Sequence, residues 1–263
     1  MPIHRPRIRD LTPHEFDAVV RIVMRCAFDS QNELGRLCDE KVYESDIALR
    51  LYSAGHRVAT QVPIVVSYGS FTKTFRLDLV CDHAVYDTKT VAALAGAHES
   101  QVLNYAMLLD VRHVKLLNFR QPKVQGKLCV NPLTFQRRHE YKFDYSRFRE
   151  LSSRCRQLVD LLSALVQDWG AFLETRLYEE ALIHFHGGEL ECVKRIELYR
   201  DDHFLGTQEV KMHSRTHSFV LSAVTGESNV YGQHLLRLLR LTGLTGLQWI
   251  NLNHHKIELV TLS

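Results

Sequence analysis

Asp78, Asp87 and Lys89 have the types and spacing of a metal-assisted hydrolytic site. Asp87 and Lys89 are two apart, so in a strand they point to the same face. Asp78 lies late in another apolar run, Phe75-Arg76-Leu77-Asp78-Leu79-Val80, and a turn at Cys81-Asp82-His83 can bring it beside Asp87. Two carboxylates on one sheet face repel each other and are costly to desolvate unless a cation joins them. Mg²⁺ suits such oxygen donors, with Mn²⁺ as its substitute. A lysine beside the metal can orient or help deprotonate a water and offset charge on a phosphate, which amounts to phosphodiester hydrolysis. Glu40, on an earlier helix, is the candidate third metal ligand. Gln101, on a later helix, is the candidate orienting side chain. A plain ion pair between Asp87 and Lys89 is the competing account of the same residues.

The elements that must position these residues follow from pattern and punctuation. Residues 13–29 carry Phe16, Val19, Val20, Ile22, Val23 and Ala27 at helical spacing after Thr12-Pro13. Residues 36–53 form a second amphipathic helix, with Gly55 as its stop. Segments 57–68, 72–80 and 84–91 read as three strands in a row, joined by Gly69-Ser70 and by Cys81-Asp82-His83. A helix over 98–109 and a strand over 114–120 follow, with a further edge strand in PKVQGKLCV. This order predicts an α/β fold, a meander followed by a crossover unit. Residues 138–164 lie within a stretch dense in Arg, Lys and aromatics and are expected to form a basic helical connector.

The second half repeats the order of the first. Tyr178 falls over Tyr43, Gln233 over Gln101 and Asn251 over Asn118. Laying FVLSAVT (219–225) on VYDTKTV (85–91) puts Leu221 at Asp87 and Ala223 at Lys89, while Thr175 replaces Glu40. No aspartate follows Asp202, so nothing replaces Asp78. The expectation is a site-bearing lobe over residues 1–137 and a degenerate lobe over 165–263 that keeps the fold without the site.

Bulk properties narrow the class less. The chain has 263 residues, 45% hydrophobic, with formal net charge +3. That is an ordinary globular composition and only mildly basic. The six cysteines contain no CxxC pair, which argues against a zinc ribbon or an iron–sulfur cluster. No apolar run reaches the roughly 20 residues of a membrane span. The opening MPIHRPRIRDLTPHEF lacks an apolar core, so a cytoplasmic location with free thiols is expected. His254-His255 reads as a polar turn, and Trp169 and Trp249 as core residues.

Taken in order, ELGRLCDEKVYE (33–44), FRLDLV (75–80), VYDTKTV (85–91), HESQVLNYAMLL (98–109) and KLLNFR (115–120) resemble the bacterial GxxExxY family of the PD-(D/E)XK nuclease superfamily. Two departures stand out. Asp87-Thr88-Lys89 replaces the usual Glu-x-Lys, and Gly35 lies five residues before Glu40. The resemblance implies a mixed sheet flanked by helices. It implies a Mg²⁺-dependent nuclease with metal ligands Asp78, Asp87 and Glu40, with Lys89 and Gln101 completing the site. DNA is the favoured substrate over RNA, with one site per chain. The degenerate lobe would stand in for a dimer partner, unless whole chains form a homodimer. A silent module that binds nucleic acid or protein through the retained fold is the alternative.

Overall fold

A computed structural model describes residues 3–263 and divides the chain into two compact units, Met1–Arg137 and Arg138–Ser263. The first unit opens with a short strand β1 (Ile3–His4) and helix α1 (Pro13–Leu34). Thr12 and Glu15 form a reciprocal capping box at the start of α1, with Pro13 in its first turn. Gly35, at φ 76°, ends the helix. Helix α2 (Glu40–Ser53) therefore begins later than its apolar pattern suggests.

Strands β2 (Val58–Tyr68), β3 (Phe71–Cys81) and β4 (Ala84–Lys89) form an antiparallel meander. The β3–β4 turn places Asp82 and His83 at φ 44° and 74°, the left-handed pair that matches the twist of a two-residue hairpin. Helix α3 (Gly96–Leu109) crosses over to β5 (His113–Asn118), which lies parallel to β4, and β6 (Gln125–Val130) pairs antiparallel outside it. The sheet order is β1-β2-β3-β4-β5-β6. Phe16, Val23 and Ala27 of α1 and Tyr43, Ile47 and Leu51 of α2 pack on Leu79, Tyr86, Leu117 and Phe119 of the sheet. That burial drives both helices onto one sheet face.

A single turn, α4 (Phe135–Arg138), lies at the division. The second unit then contains β7 (Lys142–Arg147), α5 (Ser153–Trp169), α6 (Thr175–Phe185), the short α7 (Glu189–Cys192), β8 (Val193–Arg200), β9 (His203–Met212), β10 (His217–Ser222), α8 (Ser228–Leu241), β11 (Gly246–Asn253) and β12 (Lys256–Leu262). Its sheet order is β7-β12-β11-β10-β9-β8. From β8 to β12 the strand order and sense repeat those of β2 to β6: two antiparallel pairs, one parallel pair, then one antiparallel pair. Trp169 and Trp249 are fully buried, and His254 sits in the β11–β12 turn at φ 53°.

Two expectations need correction. The basic segment from residue 138 is not a helical connector throughout. Residues 142–147 form strand β7, hydrogen-bonded in parallel to β12, and a helix begins only at Ser153. Tyr141, Phe143 and Tyr145 alternate at period two, Tyr141 meeting Phe143 edge-on and Phe143 stacking on Tyr145, a β pattern that the surrounding charge obscured.

The overlay of the two halves is also displaced by one residue at the site strand. Asn118 stands opposite Lys89 and bonds both the N–H (3.1 Å) and the C=O (2.9 Å) of Val91. Asn251 stands opposite Ser222 and makes the same two bonds to Val224, at 2.8 and 2.9 Å. Ser222 is therefore the counterpart of Lys89, and Val220 that of Asp87, in place of Ala223 and Leu221. Apolar residues occupy both faces of β10, so the hydrophobic pattern alone leaves its register loose.

Candidate metal centre

Asp78 and Asp87 face each other across the β3–β4 pair. Leu79 pairs with Tyr86, so the next position along each strand brings the two aspartates opposite. Like charges in that arrangement repel. Asp87 is almost fully buried, and its Oδ2 has no well-aligned hydrogen-bond partner. Lys89 Nζ lies 2.5 Å from that oxygen and also donates to the Thr88 carbonyl at 3.2 Å. Burial, then the negative charge of Asp78, pushes the Asp87 carboxyl up to about 7, even with Lys89 beside it.

The other carboxylates are held by backbone donors. Asp78 Oδ2 accepts from Thr88 N (2.8 Å) and from Thr88 Oγ1 (3.2 Å). Glu40, in the first turn of α2, accepts from Thr90 N at 3.1 Å. The strand that carries Asp87 and Lys89 thus also clamps Asp78 and Glu40. The Asn118 side chain fixes the chain beyond that strand through Val91, and Arg120 Nε donates to the Thr90 carbonyl at 3.3 Å.

Tyr43 anchors the approach to Glu40. Its hydroxyl donates to the Gly35 carbonyl at 2.7 Å and its ring stacks on Phe119 at 4.4 Å between centroids. In the second unit the Tyr178 hydroxyl donates to the Gly170 carbonyl, again eight residues back.

Gln101 is not brought into this cluster by any contact. It is exposed, and its amide donates to the Tyr105 hydroxyl at 2.9 Å. Glu44 is a fourth acid that the sequence reading did not single out. It is 5% exposed, and its two oxygens accept from Gln61 Nε2 at 3.2 and 3.0 Å. Burial raises its carboxyl above the usual range, with Asp78 and Glu40 adding to the shift. The available signal was spacing, since Glu44 is one helical turn beyond Glu40. Gln61 interrupts β2 at φ 51°, a left-handed conformation rare for such a residue and frequent beside functional sites.

The donor set fits a hard divalent cation. Three carboxylates lie near one another, one of them with a buried oxygen lacking a well-aligned hydrogen bond. The oxygens of Asp78, Asp87 and Glu40 do not form a trio within 4.8 Å of one another. Asp78 and Glu40 instead accept from backbone donors, and Asp87 pairs with Lys89. The arrangement can draw in a cation and present Lys89 to an adjacent oxygen.

Residues 17–129 match a family model described as the PD-(D/E)XK nuclease superfamily. The first unit carries a domain of that superfamily. No curated protein and no solved structure gives a match. The superfamily is one of nucleases, which generally use divalent metal ions, and the matched span contains every site residue named above. No helix among the described residues is long and apolar enough to cross a membrane.

Proposed function

We propose that this protein is a Mg²⁺-dependent nuclease of GxxExxY type, acting on DNA in preference to RNA, with one active site per chain. The observation that carries the reading is the buried Asp87 carboxylate, opposed by Asp78 and contacted by Lys89. A bound divalent cation would polarise the scissile phosphate and lower the pKa of an attacking water. Asp78, Asp87 and Glu40 would hold it. Glu44 adds negative charge near the same acids.

Lys89 has two roles. With the acids neutralised, its ammonium is released from Asp87 to orient the water and to offset charge on the phosphate oxygens. Arg76 is exposed two residues before Asp78 on the same strand face, so it is placed to meet a neighbouring phosphate. Gln101 lies outside the contact network and would act only through substrate.

The counterparts in the second unit, Val220 for Asp87, Ser222 for Lys89 and Thr175 for Glu40, supply no comparable donor set. This supports a degenerate second copy serving as an internal pseudo-dimer partner.

The test is cleavage of single- and double-stranded DNA and RNA with Mg²⁺, Mn²⁺ or EDTA. The wild type is expected to cut only with metal. Lys89→Ala and Asp87→Asn are expected to lose roughly 10²-fold or more in rate. Equal activity in EDTA, or an unaffected Lys89→Ala variant, would overturn the proposal. Binding without cleavage on every substrate would instead support a silent binding module.

A further inference from the structure

Cys155, His213 and His217 each place one ligand atom within 4.8 Å of the others. All three belong to the second unit, whereas the acidic cluster belongs to the first. Cys155 sits in the first turn of α5. His213 follows β9 and His217 begins β10, so one short turn presents both rings. That turn is fixed by three bonds: His213 N (3.1 Å) and Ser214 N (3.3 Å) donate to the His217 carbonyl, and His217 N donates to Ser214 Oγ (3.1 Å).

The rings themselves are unsatisfied. His213 is 2% exposed, yet neither of its nitrogens has a hydrogen-bond partner, and Nδ1 of His217 is buried in the same condition. Buried polar atoms of this kind are rare in folded proteins and call for a ligand. A second trio, His56, Cys81 and Asp82, provides the contrast. There His56 Nδ1 lies 2.7 Å from Asp82 Oδ2, and Asp82 Oδ1 accepts from Arg57 N. That trio is satisfied by the protein alone.

We propose that Cys155, His213 and His217 bind a zinc ion, with the fourth position open to a small ligand. One thiolate and two imidazoles are the donors that a borderline-soft, tetrahedral cation selects over Mg²⁺. Binding releases the Cys155 thiol proton to solvent. Gln248 Nε2 donates to Cys155 Sγ at 3.4 Å, and Gln248 is itself fixed by Thr261 (3.0 Å) and the Arg149 carbonyl (3.1 Å). Such a donor orients the sulfur. His213 also borders a cavity of about 580 Å³ lined by Arg154, Lys194 and Arg215. Their positive charge opposes a dication, and the thiolate and Glu191 of the same lining offset it.

The full chain, stripped of metal, is titrated with Co²⁺ and then with Zn²⁺. One Co²⁺ per chain is expected, with a thiolate-to-metal charge-transfer band and tetrahedral d–d bands that Zn²⁺ abolishes. Cys155→Ser is expected to lose the charge-transfer band. His217→Gln, at the more open edge of the site, is expected to weaken Zn²⁺ binding at least tenfold with an unchanged far-ultraviolet circular dichroism spectrum. Asp87→Asn should leave the site intact, which separates it from the nuclease centre. A cobalt spectrum without a thiolate band, a band that survives Cys155→Ser, or unchanged zinc affinity in His217→Gln would overturn the proposal. Should Cys155→Ser fail to fold, the wild-type band and the His217→Gln affinity still decide.

Discussion

Asp87 is buried beside Asp78, and those two facts together raise its carboxyl to about 7. Its unfolded value is near 3.9. Between those values the native state binds the extra proton, so stability falls as pH rises through about 7. Asp87→Asn cannot ionise and escapes that loss. In EDTA, the stability of Asp87→Asn relative to wild type is therefore expected to climb between pH 5 and pH 8, by roughly 1–3 kcal/mol. Urea unfolding at several pH values checks this, and a difference independent of pH would contradict it. The same proton competes with a cation, so Mg²⁺ affinity should strengthen over that window.

At the scale of elements, the clamp around β4 depends on asparagines at the ends of β5 and β11. Asn118 ties down Val91, next to Thr90, which holds Glu40. Asn251 makes the matching bonds to Val224, where no acidic cluster follows. Replacing either with alanine strands a backbone N–H and C=O and is expected to cost about 2–4 kcal/mol, read by denaturant unfolding. Only Asn118→Ala should also slow cleavage, by about tenfold or more, because it displaces the support of Glu40, the proposed metal ligand. Equal losses of activity in the two variants would argue against the one-site reading. Helices and hairpins were largely legible in the sequence, since Thr12-Pro13, Gly35 and the Asp82-His83 turn dictate local geometry. Strand β7 was not, because its six residues, five of them charged or aromatic, satisfy a helix or a strand equally until β12 supplies a partner.

At the scale of the whole molecule, each unit has its own six-stranded sheet. The first unit contains the whole acidic cluster and Lys89. A fragment of residues 1–137 is expected to unfold cooperatively and to retain metal-dependent binding of nucleic acid. If cleavage falls more than tenfold in the fragment while binding persists, the second unit contributes to the reaction as a pseudo-dimer partner. Calorimetry and a cleavage time course give both answers.

The sequence by itself determined the α/β order, the repeated pattern, and the acids and lysine of the first half. Those follow from periodicity, turn residues and spacing, which act over a few positions. Only the tertiary structure decided which residues meet. It set Asp78 opposite Asp87, turned Gln101 toward Tyr105 and added Glu44 through Gln61. It also moved the counterpart of Lys89 to Ser222, and it gathered Cys155 with two histidines more than fifty residues away in the chain. Register and burial are long-range properties, fixed when whole sheets and helices exclude water together.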